Sequence, residues 1–261
     1  MKPELADWLD YLADLGYDEI YRDQASGVVR GGATLPSAGA RQAGSGRGTA
    51  PPAERARSES AGDATDAPPP EARRTELEAV AREASACTRC ALAEGRRTVV
   101  FGSGNPDADL MFIGEGPGAE EDRQGLPFVG PAGQLLTRII QAIDLSRDDV
   151  YIANIVKCRP PGNREPLPDE VAACRPWLEA QIRLVRPRVI VALGKVAAQA
   201  LLGDDGPIGK LRGRWHTVAG IPLMPTYHPA ALLRNAGLKR PVWDDMLRVR
   251  ERLRTASERQ R

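Results

Sequence analysis

Four short apolar runs alternate with amphipathic segments over the second half of the chain. The runs are rich in β-branched and other large apolar residues, and they cover residues 109–114, 149–155, 188–193 and 221–226. Apolar residues recur at helical spacing in residues 133–143, 168–185 and 194–203 and again after Pro241. Buried strands that alternate with helices are typical of a parallel sheet covered on both faces. The pattern predicts an α/β fold with three layers, α/β/α, around a central four-stranded parallel sheet.

The N-terminal part of the chain has a different pattern. Residues 1–23 place leucine and aromatic side chains on one side of a predicted amphipathic helix, with aspartates between them. Residues 24–75 are mostly Ala, Gly, Ser, Pro, Arg and Thr, which cannot offset the entropy of ordering and predict a disordered linker. An amphipathic helix tethered by such a linker is typical of a segment that docks on a protein partner. The alternative is a frayed extension without function. We expect a folded domain at residues 76–255 and a flexible tail at 256–261.

Composition and charge exclude few functional classes of protein. The formal net charge is +1, with a small positive excess after residue 75, which permits an anionic partner without requiring one. No run of 18 or more apolar residues occurs, so no membrane partner is predicted. The first residues carry acids through their apolar stretch and lack the basic start of a secretory signal. We therefore expect a cytoplasmic monomer.

Polar side chains follow the end of each predicted strand. The first strand runs into GEGPGAEED, the second ends in Asn154, the third precedes Lys195 and the fourth precedes His228. In parallel sheets of this class the ligand lies beyond the carboxyl ends of the strands. The glycines of GEGPGA lack the spacing of a dinucleotide fingerprint, and GDDGPIGKL is not a P-loop. The sequence therefore predicts a functional site at this edge that is neither a dinucleotide site nor a P-loop.

The chain has four cysteines, at a spacing that favours a metal site. They are Cys87, Cys90, Cys158 and Cys174, a CxxC pair followed by two widely separated residues. Disulfides are rare in the cytosol. Four thiolates can hold a tetrahedral zinc ion or a [4Fe–4S] cluster, and the spacing alone does not choose between them or exclude free thiols.

Four motifs in this order resemble those of the iron–sulfur uracil-DNA glycosylases, family 4 of that superfamily. The motifs are GEGPGAEED, GLPFVG, the strand ending in Asn154 before KCRPPGNR, and HPAALL. The resemblance covers residues 76–255. It implies the three-layer fold predicted above, removal of uracil from DNA, and a structural [4Fe–4S] cluster bound by the four cysteines.

The resemblance also implies how uracil is recognised. A base inside a duplex must be flipped out before it can react. Phe128 is expected to stack on the flipped ring, and Asn154 to pair with N3–H and O4, which cytosine presents differently. His228 is expected to donate a hydrogen bond to O2 as negative charge develops there. The glycines expected to bring backbone against uracil are Gly114, Gly116 and Gly118.

The sequence offers two candidates for the group that activates water. Better-known uracil glycosylases have an Asp at the position that is Gly116 here, so Glu115 and Glu121 are the candidates for positioning water or stabilising the sugar cation. The alternative is that the acidic run at 120–122 complements the N-terminus of the following helix. No lysine is placed as a nucleophile, which predicts a monofunctional hydrolase without lyase activity.

DNA contacts are expected around the same edge. The resemblance implies that the loop containing Leu232, Leu233 and Arg234 enters the minor groove, where apolar wedges stabilise unstacked bases. The basic residues expected near phosphates are Lys157, Arg159, Arg164 and Lys195. Two alternatives remain: a relative that binds uracil-DNA tightly or covalently, and a non-catalytic DNA-binding module of the same fold. The first is disfavoured because the segment after the second strand is short and lacks histidine.

Overall fold

The computed structural model describes residues 68–258. The predictions of a docking helix at residues 1–23 and of a linker at 24–67 fall outside the described residues, and so do residues 259–261. No helix between residues 68 and 258 combines the length and apolarity needed to cross a membrane.

One mixed sheet forms the centre of the domain. Its strands are β1 (Ser103–Gly104), β2 (Leu110–Gly114), β3 (Val150–Asn154), β4 (Val189–Leu193), β5 (His216–Val218) and β6 (Ile221–Thr226). Their spatial order is β1-β3-β2-β4-β6-β5. The four strands β3, β2, β4 and β6 are parallel, as predicted. Two antiparallel edge strands extend the sheet to six. They were not predicted, because two or three partly exposed residues give no apolar run.

Helices cover both faces of this sheet. They are α1 (Pro70–Ser85), α2 (Leu92–Gly95), α3 (Ala119–Gln124), α4 (Pro131–Ala142), α5 (Pro168–Val185), α6 (Lys195–Leu202), α7 (Ile208–Leu211), α8 (Pro229–Arg234) and α9 (Lys239–Glu258). Single 3₁₀ turns lie at Arg147–Asp149, Pro161–Asn163 and Ala236–Leu238.

The strands are apolar along their whole length because both faces of the sheet are buried. Every residue of β2, β3 and β4 is buried. Met111 and Ile113 pack in one cluster with buried residues of α1 and α5. The alternate residues Leu110 and Phe112 point to the opposite face. The three-layer prediction is confirmed.

The domain begins earlier than residue 76. Helix α1 starts at Pro70, and its arginines tie it to the rest of the domain. Arg73 donates to the carbonyl of Leu184 at 2.6 Å, and both Arg73 and Arg74 pair with Asp107. The linker prediction was therefore wrong for residues 70–75, where contacts with residues distant along the chain accompany a helix that composition alone does not indicate. At the other end α9 continues to Glu258, past the predicted boundary at 255.

Candidate active site

The carboxyl ends of the parallel strands are level with one another. Gly114 at the end of β2 pairs in register with Asn154 at the end of β3. Leu193 pairs with Thr226 at the ends of β4 and β6, and Gly194 donates to the carbonyl of Thr226 at 2.9 Å. The residues that follow these strands therefore share one edge, as the sequence predicted.

Gly114 allows two functional side chains to meet above the strand end. A Cβ atom on Gly114 would lie 2.5 Å from Asn154 Oδ1 and 2.5 Å from Cζ of Phe128. Real Cβ atoms do not approach other atoms so closely. The bare backbone of Gly114 is thus required for the amide of Asn154 and the ring of Phe128 to lie where they do.

Asn154 has a buried acceptor without a partner. Its side chain is 1% exposed, and Oδ1 makes no hydrogen bond with any described residue. Leaving a buried acceptor unpaired costs about 1–3 kcal/mol. Such a cost is commonly found where a ligand supplies the missing donor. The ring of Phe128 lies beside this oxygen, so the free acceptor borders an aromatic surface.

Phe128 has a strained backbone that its surroundings hold in place. Its φ angle is +53°, in the left-handed region that non-glycine residues seldom adopt. Arg147 donates to the carbonyls of Phe128 at 3.1 Å and Pro127 at 2.8 Å. The backbone of Gly133 packs directly against that of Phe128, which leaves no space for a side chain on Gly133. Local sequence does not indicate the role of Arg147, because it lies on a separate 3₁₀ turn 19 residues away.

Glu121 fixes the other side of the same loop. One carboxylate oxygen, Oε1, accepts hydrogen bonds from the backbone N–H groups of Val129 and Gly130, both at 2.9 Å. The other oxygen lies against Gly118, where a Cβ would be 2.7 Å away. Glu121 also lies near His228, because its charge partly opposes the lowering of the pKa of that ring by burial and by Arg234. The structure therefore gives Glu121 an anchoring role in the loop that carries Phe128.

The two neighbouring carboxylates lie outside the site. Asp122 is buried and accepts hydrogen bonds from the backbone N–H groups of Arg97 at 2.8 Å and Thr98 at 3.3 Å. Glu120 pairs with Arg123 on the surface. All three acids occupy the first turn of α3, as the alternative interpretation expected.

His228 is held as a neutral donor. Its Nδ1 accepts a hydrogen bond from the backbone N–H of Ala230 at 3.1 Å, so the proton of the neutral ring is on Nε2. Burial, followed by the charge of Arg234, lowers the pKa of His228 to about 4, and Glu121 opposes this shift. The ring centroids of His228 and Phe128 are 5.6 Å apart. His228 therefore presents an uncharged imidazole beside the ring of Phe128.

Gly194 makes room for His228. It has a φ of +93°, and a Cβ there would lie 2.9 Å from Cβ of His228. The turn between β4 and α6 consequently depends on glycine for both its conformation and its contact with the histidine.

Glu115 follows Gly114 and is partly buried. Burial, followed by the nearby charge of Glu165, raises the pKa of Glu115, while Lys195 lowers it. A carboxyl group with a raised pKa is better suited to accept a proton near neutral pH. Gly116, the next residue, lies against the Val156 side chain, where a Cβ would be 2.8 Å away.

Lys157 is buried below the site, and its predicted phosphate contact was wrong. Its Nζ donates to the carbonyl of Asn154 at 2.8 Å and to Oε1 of Gln181. Gln181 in turn donates to the carbonyl of Phe101 at 2.8 Å. Burial lowers the pKa of Lys157 to about 7. The chain continues inward after β3, so Lys157 supports the backbone of Asn154 instead of reaching solvent.

The predicted wedge loop is only partly exposed. Leu232 is 2% exposed and faces the interior of the domain, which corrects its predicted DNA contact. Its neighbours Leu233 and Arg234 are exposed, because successive positions of α8 point in different directions.

The other predicted basic residues are paired within the domain. Arg164 forms two hydrogen bonds with Glu170, at 2.6 and 2.8 Å, and Lys195 pairs with Glu165 at 2.7 Å. Arg159 donates to Asn163 at 2.8 Å. Arg164 thus stabilises the segment before α5, whereas the exposed ion pair of Lys195 is of the kind that contributes little to stability.

The four cysteines line one cavity beside α5. None of them forms a disulfide. Three of the sulfurs accept hydrogen bonds: Cys158 from Arg96 at 3.4 Å, Cys174 from the backbone N–H of Lys157 at 3.3 Å, and Cys87 from the indole of Trp177 at 3.4 Å. Burial raises the pKa of Cys174 to about 11 and also raises that of Cys158. Between residues 68 and 258, no three His, Cys, Asp or Glu side chains are arranged to hold a single metal ion.

A separate cavity of about 580 Å³ lies beside the C-terminal half of α5. Its lining includes Leu178, Ile182 and Leu201 but none of the residues predicted for the site. It therefore has no part in the arrangement around Asn154.

Comparison with known proteins assigns this arrangement to a family. The profile of the uracil DNA glycosylase superfamily matches residues 101–247. The type-4 uracil-DNA glycosylase of Saccharolobus solfataricus is 45% identical over 186 residues, which are 68% of this chain and 86% of that protein. The type-4 uracil-DNA glycosylase of Thermotoga maritima is 47% identical over 176 residues, 65% of this chain and 91% of that protein. The chain therefore belongs to the type-4 uracil-DNA glycosylases of this superfamily.

Proposed function

We propose that the protein is a monofunctional uracil-DNA glycosylase, which hydrolyses the N-glycosidic bond of uracil in DNA and leaves an abasic site for base excision repair. Family membership supports the reaction class. The observation that carries the proposal is the buried, unpaired Oδ1 of Asn154 beside the ring of Phe128. An acceptor next to an aromatic face suits a flat base with an N–H on its edge.

Recognition would follow from these two side chains. Uracil flipped from DNA stacks on Phe128, an interaction worth about 1–3 kcal/mol per base. Asn154 Oδ1 accepts from N3–H of uracil, and the amide nitrogen donates to O4. With the amide in this orientation, cytosine is disfavoured because it has no proton on N3 and carries an amino donor at position 4.

Bond cleavage would leave negative charge on the base. When the C1′–N1 bond breaks, its electron pair stays on uracil and the charge is shared with O2. His228 donates from Nε2 to O2, because Nδ1 is already occupied by the N–H of Ala230. A neutral histidine loses no proton to the base, so it acts by hydrogen bonding alone.

Water would then attack C1′ of the cationic sugar. Water contributes hydroxide to C1′ and releases one proton. Of the two candidate carboxylates, Glu115 is the better acceptor for this proton, since Glu121 already binds Val129 and Gly130. Glu121 would contribute its negative charge near the site while it fixes the Phe128 loop.

The four cysteines would hold a [4Fe–4S] cluster. Each cysteine binds a different iron in such a cluster, so the sulfurs need to surround a cavity and not meet at one ion. Cys87, Cys90, Cys158 and Cys174 line one cavity, and the N–H donors around three of them suit sulfurs that carry negative charge. The cluster, when bound, would serve as a structural crosslink between α1, the segment after β3, and α5.

DNA would be held around the same edge. Leu233 and Arg234 are exposed close to His228 in the sequence. Arg159 and Lys195 would contact phosphates in exchange for their partners within the domain, Asn163 and Glu165. We further propose that the protein is a cytoplasmic monomer and that residues 1–23 dock on a protein partner. A pull-down with a peptide of residues 1–23 that captured no replication or repair protein would contradict the docking role.

The proposal is tested by comparing Asn154→Ala, His228→Ala and Glu115→Gln with the wild type on oligonucleotides that contain one uracil. We expect His228→Ala to lower kcat about 100- to 1,000-fold. Glu115→Gln should lower kcat with little change in KM, and Asn154→Ala should reduce kcat/KM. Excision of uracil at wild-type rates by Asn154→Ala would contradict the role of the unpaired oxygen.

A further inference from the structure

A buried carboxylate and an arginine form an ion pair against the end of the strand that precedes His228. Asp245 of α9 is 1% exposed, and its carboxylate accepts hydrogen bonds from Nε of Arg212 at 3.0 Å and from Nη2 of Arg212 at 2.7 Å. Arg212 follows α7, and its Nη2 also donates to the carbonyl of Pro241 at 2.6 Å. The pair therefore joins the segment after α7 to α9, and it has no part in the chemical steps proposed above.

Both residues that precede His228 contact this ion pair. Thr226, the last residue of β6, is fully buried, and its Oγ1 donates to Oδ2 of Asp245 at 2.6 Å. The guanidinium of Arg212 lies over the ring of Tyr227, 5.5 Å from its centroid, which is within the range of a cation–π interaction. One ion pair thus fixes two successive side chains that lead into the histidine.

A second contact connects Thr226 with His228 across the sheet. The carbonyl of Thr226 accepts from the N–H of Gly194 at 2.9 Å. Gly194 packs so closely against the histidine that a Cβ on the glycine would lie 2.9 Å from Cβ of His228. A displacement of Thr226 would therefore reach His228 by two routes, along the chain through Tyr227 and across the sheet through Gly194.

An ion pair of this kind fixes geometry more than it stabilises a fold. Removing charges from water is costly, and replacing a buried ion pair by apolar residues of similar volume is often neutral or stabilising. A carboxylate that accepts two hydrogen bonds from one arginine is, in contrast, held in a well-defined orientation. Catalytic side chains need such support, because a displacement of about 1 Å can lower the rate about 100-fold.

We propose that Asp245 and Thr226 are positioning residues that hold the imidazole of His228 where its Nε2 donates to O2 of uracil. The inference rests on the proposed function and adds to it. Both side chains are buried, so they act through the backbone of residues 226–228 and through Gly194. Since the hydrogen bond from His228 strengthens as charge develops on the base, their effect belongs to the rate of bond cleavage and not to substrate binding.

The test compares Thr226→Val, which removes the hydroxyl at nearly the same volume, with Thr226→Ser, which keeps it. Asp245→Asn changes the other end of the same hydrogen bond. Thr255→Val is the matched control, because the exposed hydroxyl of Thr255 donates to the carbonyl of Glu251 within α9. For each iron-loaded protein, kcat and KM are measured on a duplex oligonucleotide with one uracil, together with the melting temperature.

The imidazole itself is observed by NMR of protein labelled with ¹⁵N in histidine. The chain has two histidines, His216 and His228, and their ring signals are distinguished with the variant His228→Asn. A residue with a merely structural role would change the melting temperature without moving the ring signals of His228.

We expect Thr226→Val and Asp245→Asn to lower kcat about 10- to 100-fold with KM nearly unchanged, and to shift the ring signals of His228. Thr226→Ser and Thr255→Val should match the wild type. Because the two positioning residues act as one unit, the double variant should lose little more kcat than the worse single variant.

Three results would overturn the positioning role and leave the proposed function intact. They are a wild-type kcat in Thr226→Val, a lowered kcat with the ring signals of His228 unchanged, and losses that multiply in the double variant. A wild type that excises no uracil would overturn both the positioning role and the proposed function.

Discussion

At the scale of single residues, Gly114 sets the geometry of the site. The ring of Phe128 and the amide of Asn154 both lie within 2.5 Å of the position that a Cβ would occupy. We expect Gly114→Ala to displace at least one of them and to reduce kcat/KM about 100-fold, as displacements of about 1 Å in a site can do.

The control for this substitution is Gly95→Ala, since no atom lies within 4 Å of a Cβ at Gly95. Uracil excision and melting temperature are measured for both variants. Wild-type activity in Gly114→Ala would show that Asn154 and Phe128 do not act from the positions described.

His228 gives a prediction about pH. Its folded-state pKa is lowered to about 4 from 6.5, so between these values the unfolded chain binds a proton at this position that the folded chain does not. The free energy of unfolding therefore decreases as pH falls from 6.5 towards 4. We expect His228→Asn, which retains an acceptor for the N–H of Ala230, to lose less stability over this range. Chemical denaturation of both proteins at the two ends of the range measures the difference.

The same shift fixes the charge of His228 during catalysis. Above its lowered pKa the ring of His228 is neutral. We therefore expect that the pH profile of kcat shows no step near pH 6.5 that is caused by His228. An NMR titration that placed the pKa of His228 near 6.5 would contradict the neutral-donor account.

At the scale of elements, Glu121 has two possible roles beside the loop between α3 and α4: it can anchor the loop, or its charge can stabilise the sugar cation. Two substitutions distinguish these roles. If Glu121 only anchors the loop, Glu121→Gln should retain most activity, because an amide oxygen can still accept from Val129 and Gly130. Glu121→Ala should lose activity because the loop is released. If its charge stabilises the sugar cation, both variants should lower kcat. We expect Gln to retain more activity than Ala, as measured by kcat and KM on the same oligonucleotide.

The elements also show what the sequence can predict. The runs that form β2, β3 and β4 were recognisable because both faces of these strands are buried, which removes polar residues from them. The positions of Asn154 and His228 followed from the strand ends. The burial of Lys157 and the clamp of Arg147 on Phe128 could not be predicted, because both depend on contacts between segments distant along the chain.

At the scale of the whole molecule, the cysteine cavity joins segments far apart in the sequence. Cys87 and Cys90 follow α1, Cys158 follows β3, and Cys174 lies in α5. We expect Cys174→Ser to lower both the bound iron and the melting temperature, because a crosslink between these segments is lost. Trp177→Phe is the control, since it removes one N–H donor to sulfur and keeps all four thiols. Iron content and thermal unfolding are measured for both; full iron in Cys174→Ser would exclude this cysteine as a ligand.

A hydrolytic uracil-DNA glycosylase turns over many times and forms no lasting covalent bond with its substrate. The most direct measurement is a time course of the iron-loaded protein on an excess of duplex oligonucleotide with one uracil, analysed on denaturing gels with and without alkali. We predict many turnovers of alkali-dependent cleavage by the wild type, and about 100- to 1,000-fold slower turnover by His228→Ala. A denaturant-resistant protein–DNA band, or no product from the iron-loaded protein, would contradict a hydrolytic uracil-DNA glycosylase.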